Sequence, residues 1–299
     1  MRKFITYTLV YFAAMAILDF GFGKVSRYMT NNAKAGATKQ MIDLCTKDNY
    51  DILVMGSSKA HHNYIPNIIG NELGHSCYNA GRDGNGIILA YGILSMLSDD
   101  RLPKTIIYDL KQQFDVYHYS GDGDYTRYYQ ILKVFYGWQP VNDIIGSICK
   151  QDLVKYRSSL YRRNGELFSI INGFISKPTA DPDLGYVPAI GELKDGSEQE
   201  KDYTDQIDDL KISYFKKFVK LCKTKEINLV IVFSPEYNTP VASDFEPVRD
   251  ICYREGVTLL DYFEDASFQN MAYFKDHCHL NETGAKVFTQ RIIDDISLL

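Results

Sequence analysis

The chain has 299 residues, 45% of them hydrophobic and 24% charged, which supports a sizeable core and excludes global disorder. Its net charge of −5 and isoelectric point near 5.7 lack the basic excess of a nucleic-acid binder, so no nucleic-acid partner is expected. The 6 cysteines form neither a CxxC pair nor a metal-finger spacing, which leaves no zinc module; their even number permits disulfides in an exported chain without fixing a pairing.

Taken in order, the chain opens with Met1-Arg2-Lys3 and then an apolar stretch over 4–22, broken only by Asp19. That stretch is about as long as the roughly 20 residues that cross a bilayer, and Asp19 lies near its far end, where a charge reaches the headgroups cheaply. A basic start before an apolar run also fits a secretory signal, with Gly21-Phe22-Gly23 as a cleavage site. The expectation is that 1–25 is a membrane anchor or signal segment, with the body outside the cytoplasm, on the periplasmic side in a Gram-negative cell and secreted if the segment is cleaved. Residues 26–47 are polar and read as a tether. The globular domain is expected over 48–299.

Ile52, Leu53, Val54 and Met55 form an uninterrupted apolar run, the pattern of a strand buried on both faces of a parallel sheet. It stops at Gly56-Ser57-Ser58, and Pro66 then opens a short helix. A second strand at 77–79 leads into the turn AGRDGNG and an apolar helix over 87–97. Further strands are expected at 105–110, 228–233 and 257–260, with helices at 208–223 and 245–255 and a last helix capped by Asn281. This βαβ alternation predicts a flavodoxin-like, doubly wound, five-stranded parallel sheet. The segment 115–205 interrupts the rhythm as a long insertion rich in Tyr, with one helical stretch at 152–175. Such insertions at the carboxyl edge of a sheet serve as lids or binding loops, or as surface elaborations.

The chemistry converges on Ser58. In open α/β sheets ligands bind beyond the carboxyl ends of the strands, where a glycine turn leaves a following Ser exposed. Gly-Ser-Ser is also an ordinary turn, so the Ser needs partners. Asp276 and His279 stand three apart, close enough on a turn for the carboxylate to hold one imidazole nitrogen while the other accepts a proton from Ser58. Neighbouring His277 and Cys278 raise the idea of a metal, but adjacent side chains project differently, so neither metal nor cofactor is expected.

Together these segments resemble the SGNH (GDSL-type) hydrolases over roughly 50–115 and 226–299. Gly56-Ser57-Ser58 stands at the family's Gly-Asp-Ser block, Asn79-Ala80-Gly81-Arg82-Asp83-Gly84 at its Asn-x-Gly-x-x-Gly block, and Asp276-x-x-His279-Leu280 at its Asp-x-x-His-Leu block. The resemblance implies that Ser58 is the nucleophile, with His279 as base and Asp276 as its partner. It also implies an oxyanion hole made by the N–H groups of Ser58 and Gly84. The third block, Gly-x-Asn-Asp, is missing: 109–115 reads Asp-Leu-Lys-Gln-Gln-Phe-Asp, where Gln113, or Gln112, stands in for the Asn. His61, His62 and Arg82 are candidate substrate-binding residues or else polar groups that stabilise the rim. Divergent, membrane-anchored members with a Gly-Ser-Ser block look like enzymes of envelope polysaccharide acylation and deacylation. The implied activity is that of a serine esterase removing O-acyl groups, O-acetyl foremost, from an acylated carbohydrate or another small ester. The alternatives are an O-acyltransferase with the same triad, or a non-catalytic, membrane-tethered polysaccharide-binding or assembly protein.

Overall fold

The computed structural model describes residues 1–119, 125, 127–178, 180–197, 201–238 and 242–298. Its chain divides into two compact units, one made of 48–128 and 181–299, the other of 1–47 and 129–180.

In the first unit the strands are β1 (Ile52–Gly56), β2 (Cys77–Asn79), β3 (Thr105–Asp109), β4 (Tyr117–Tyr119), β5 (Tyr203–Ile207), β6 (Asn228–Phe233) and β7 (Thr258–Asp261). Five of them form one sheet in the order β2-β1-β3-β6-β7, every neighbouring pair parallel. This is the flavodoxin-like doubly wound order, whose connections reverse direction at β1 and β3 and leave a crevice at the carboxyl ends of those two strands. All five residues of β1 are buried because both faces of the sheet are covered, which is why its sequence does not alternate. Ile52 and Val54 pack with Tyr64, Ile69, Phe288 and Ile292 on one face. On the other, the ring of Tyr108 lies against Phe218 and Tyr91 against Tyr214. The helices Ile87–Met96, Asp209–Thr224, Glu246–Glu255 and Glu282–Ile296 fall within a residue or two of their predicted bounds.

Two glycines are steric requirements. Gly56 has φ +141° where β1 ends, and a Cβ there would lie 2.4 Å from the Asp109 carbonyl oxygen. A Cβ on Gly81 would lie 2.5 Å from the His61 backbone nitrogen. Both keep the turn carrying Ser58 tight against its neighbours. Within the expected insertion, β4 and β5 pair antiparallel, and Lys211 Nζ donates to the carbonyls of Gln113 (2.8 Å) and Tyr117 (2.5 Å).

The second unit is helical. Its N-terminal helix, Arg2–Asn31, has 30 residues and is therefore about 45 Å long. Its most apolar 18-residue window has a mean hydropathy of 1.6 and none of it is buried, so Phe4, Leu9, Phe12, Ile17 and Phe20 all face outward. A large apolar surface of this length makes the helix a candidate membrane anchor or signal sequence. Its last turns are different: Ser26 and Thr30 are buried, and the Tyr28 ring meets the Phe174 ring at a tilt of 57°. Asp19 accepts hydrogen bonds from Ser158 Oγ and from the backbone N–H groups of Ser159 and Leu160, so it caps the short helix Ser159–Arg162. Residues 37–46, inside the stretch read as a tether, form the helix Ala37–Thr46, with Met41, Ile42, Leu44 and Cys45 buried. The helical stretch expected at 152–175 is three helices, Lys150–Lys155, Ser159–Arg162 and Leu167–Ile175, with Gly165 at φ +80° between the last two. None of the six cysteines is in a disulfide, and burial pushes the thiols of Cys222 and Cys252 up to about 12.

Candidate active site

Ser57 and Ser58 divide the work at the end of β1. Ser57 is buried and caps the helix Ser58–Asn63, its hydroxyl accepting from the Lys59 N–H. Ser58 is the first helical residue and is partly exposed, so its hydroxyl is left free for chemistry. Its Oγ lies 2.7 Å from His279 Nε2. The other ring nitrogen, Nδ1, lies 2.8 and 2.9 Å from the two oxygens of Asp276. Asp276 is itself fixed, because its Oδ1 accepts from the backbone N–H groups of Cys278 (3.1 Å) and His279 (3.0 Å). The turn is anchored from the far side of the sequence, where the Leu280 N–H donates to the buried Asn63 side chain at 3.0 Å. Ser58, His279 and Asp276 thus form one hydrogen-bonded chain across 221 residues of sequence separation.

Burial would raise the Asp276 carboxyl, but hydrogen bonds from His279 and from the Cys278 and His279 backbone hold it well below the ordinary carboxylate range. Burial likewise opposes charge on His279, yet Asp276 and the Cys278 thiol beside it raise the imidazole well above its usual value.

The second-block turn is fastened to this site. The Arg82 N–H donates to the Gly56 carbonyl at 3.1 Å, and the Asn79 amide bridges the carbonyls of Ala60 and Tyr64 while accepting from the Gly81 N–H. Gly84 follows at φ +67° with open space on its Cβ side. His61 Nδ1 and His62 Nε2 both face Asp83 Oδ1, at 2.8 and 3.4 Å, and the His62 ring meets the His279 ring edge-on at 5.4 Å. Arg82 is buried and donates to the Gly81 carbonyl, close to Tyr78. After β3, the Gln113 amide nitrogen donates to Asp202 at 2.7 Å, and its Oε1 has no partner among the described residues.

Behind Ser58 lies a charge cluster that sequence reasoning missed. Lys59 is fully buried and donates to the Ser234 carbonyl (3.0 Å) and Glu236 Oε1 (2.8 Å). Lys111 reaches the same Glu236 oxygen at 2.8 Å. Burial opposes the Glu236 charge, but the two lysines bring its pKa down to about 2, while burial raises that of Asp109 at the end of β3 against the pull of Lys59. Two ammonium groups share one carboxylate where β1, β3 and β6 end, with the Asp109 carboxyl acting on Lys59 and the Asp202 carboxyl on Lys111. The available signal was a lysine directly after each of two buried strand-end turns.

Two trios of side chains hold ligand-type atoms within 4.8 Å of one another: His61, His62 and Asp83, and Asp276, Cys278 and His279. Three ligands are the protein share of a catalytic zinc site, but in the second trio Asp276 and His279 are already committed to each other and to Ser58.

No protein-family model and no curated protein matches the chain. Among solved structures it is similar to a "putative acylhydrolase" from Bacteroides fragilis, at 10% identity and a TM-score of 0.39, over 87% of this chain and 97% of that one.

Proposed function

We propose that the chain is a serine esterase of SGNH type, anchored by its N-terminal helix with the catalytic unit outside the cytoplasm, which removes O-acyl groups from an envelope carbohydrate. The observation that carries this reading is the hydrogen-bonded chain from Ser58 Oγ through His279 to Asp276. Three sequence blocks in the order of that family support it, and the aromatic-rich segment after β3 suits a sugar substrate.

His279 Nε2 takes the Ser58 proton as Oγ bonds to the ester carbonyl carbon, and Asp276 stabilises the imidazolium that forms. Negative charge on the carbonyl oxygen is met by the N–H groups of Ser58 and Gly84, with Gln113 contributing when its amide leaves Asp202. Collapse breaks the ester C–O bond, and His279 returns the proton to the departing sugar oxygen. Water, deprotonated by the same imidazole, then frees the acid from Ser58; a second sugar hydroxyl in its place makes the reaction a transfer. No step calls on a cofactor.

The test is turnover of a small aryl acetate. Ser58→Ala and His279→Ala should each lower kcat by about 10⁴-fold or more with the far-ultraviolet circular dichroism unchanged. Near wild-type turnover in both variants removes the mechanism.

A further inference from the structure

The helical unit holds a cavity of about 600 Å³ at the end of the N-terminal helix, and its wall is strongly one-signed. Arg27, Lys47, Arg162 and Arg163 line it together with Tyr136 and Trp138, and among the described lining residues there is no carboxylate. Lys47 is answered by Asp43 at 2.5 Å, and Arg162 donates to the Tyr156 carbonyl and lies over the Tyr136 ring. Arg163 is not answered in the same way. It is only 5% exposed, its Nε and Nη1 have no hydrogen-bond partner among the described residues, and the carboxylate paired with it, Glu166, stands 3.7 Å away with its other oxygen on Lys133 at 2.7 Å. Burial, followed by repulsion from Arg27, pushes the Arg162 guanidinium down, and Arg163 is pushed down by burial and by both other arginines against the pull of Glu166.

A buried guanidinium with free donors beside two more of its kind is costly unless an anion completes the set. The planar fork of arginine matches the oxygens of a phosphate or a carboxylate, and a phosphate has oxygens enough to engage more than one guanidinium. The volume exceeds that of a bare ion and falls in the range of organic-ligand sites, and the aromatic walls suit an attached non-ionic part. Position along the helix points the same way. Arg27 lies five residues past the end of the apolar stretch at Phe22, about 7 Å further along the axis, which is headgroup depth if that stretch fills the hydrocarbon layer.

We propose that this cavity binds an anionic phosphate group, held by Arg163 and Arg27 between the Tyr136 and Trp138 rings and carried either by a membrane lipid or by a soluble phosphate ester. The site is independent of the esterase reading and is tested without a turnover assay.

Trp138 is the sole tryptophan of the chain and lines the cavity, so its emission reports occupancy. The full chain in dodecyl maltoside micelles, which contain no phosphate, is titrated separately with phosphatidylglycerol, sodium pyrophosphate, glycerol phosphate and, as a carboxylate control, oleate. A saturable change in Trp138 emission with phosphatidylglycerol alone supports the site and assigns the lipid as source; one with glycerol phosphate or pyrophosphate supports it and assigns a soluble ester. In Arg163→Gln the midpoint should move up at least tenfold. Arg27→Gln, at an exposed position that the fold does not need, should move it in the same direction. The proposal is overturned by no saturable change with any phosphate compound, by an equal response to oleate, or by midpoints unchanged in both variants.

Discussion

One network in each unit meets its charges in a different way. In the sheet unit, Lys59 and Lys111 meet a carboxylate at 2.8 Å each, and Asp276 is satisfied by an imidazole and two backbone N–H groups. In the helical unit, Arg163 is almost as deeply buried and has donors with no acceptor. A closed network fixes a geometry, as catalysis requires, whereas an open one leaves a charge for something else to complete. The difference separates a cluster that holds atoms in place from one left open to a ligand.

The comparison can be broken by removing charges on each side. Glu236→Ala leaves two buried ammonium groups without their carboxylate and should cost about 3–5 kcal/mol in urea unfolding, the largest effect expected here. Gly56→Ala should cost about 2–3 kcal/mol, because a Cβ 2.4 Å from the Asp109 carbonyl at φ +141° has nowhere to go. Arg163→Met, by contrast, should change stability by less than about 1 kcal/mol or even raise it, since it removes a buried charge met only by Glu166 at 3.7 Å among the described residues. A loss of 3 kcal/mol or more in that variant would mean that Arg163 is satisfied after all and would erase the contrast.

Titration sharpens the same point. The His279 pKa is raised on folding, so its contribution to stability is full below about 6.5 and fades as pH rises through the folded value. The Asp276 pKa is depressed, so its contribution is full above about 3.9 and is lost as pH falls toward the folded value. The pair therefore stabilises most between about pH 4 and 6.5, while acceptance of the Ser58 proton needs neutral His279 and should rise with pH through the alkaline range. Thermal midpoint and kcat/KM should move in opposite directions from pH 7 to 9, and Asp276→Asn should lower turnover by about 10⁴-fold and abolish the high-pH loss of stability. Parallel movement of the two quantities would contradict the assignment of His279 as base.

Much of the sheet was legible because it rests on local pattern. The apolar run 52–55, the strand 228–233 and the helix start at Pro66 each carry their own signal, and β6 has the predicted bounds. Ser58, His279 and Asp276 could be named because glycine turns and short Asp-to-His spacings are local too, and the structure brings all three together. The role of Gly84 was implied only by motif. What stayed hidden depends on distance in sequence. Lys59 and Glu236 are 177 residues apart, and no spacing rule joins them. β4 and β5 pair across the insertion, where only a helical stretch was expected, and four of the five residues of β5 are exposed, so neither burial nor alternation marks it. Ala37–Thr46 hid because its apolar residues fall in one cluster within a polar stretch.

The central claim is that Ser58, and not its neighbour, is an activated nucleophile. The most direct measurement is the intact mass of the full chain in detergent after exposure to a fluorophosphonate, with Ser58→Ala and Ser57→Ala treated in parallel. The account predicts a single adduct on the wild type and on Ser57→Ala, and none on Ser58→Ala. An unlabelled but folded wild type, or an adduct that survives Ser58→Ala, would contradict it.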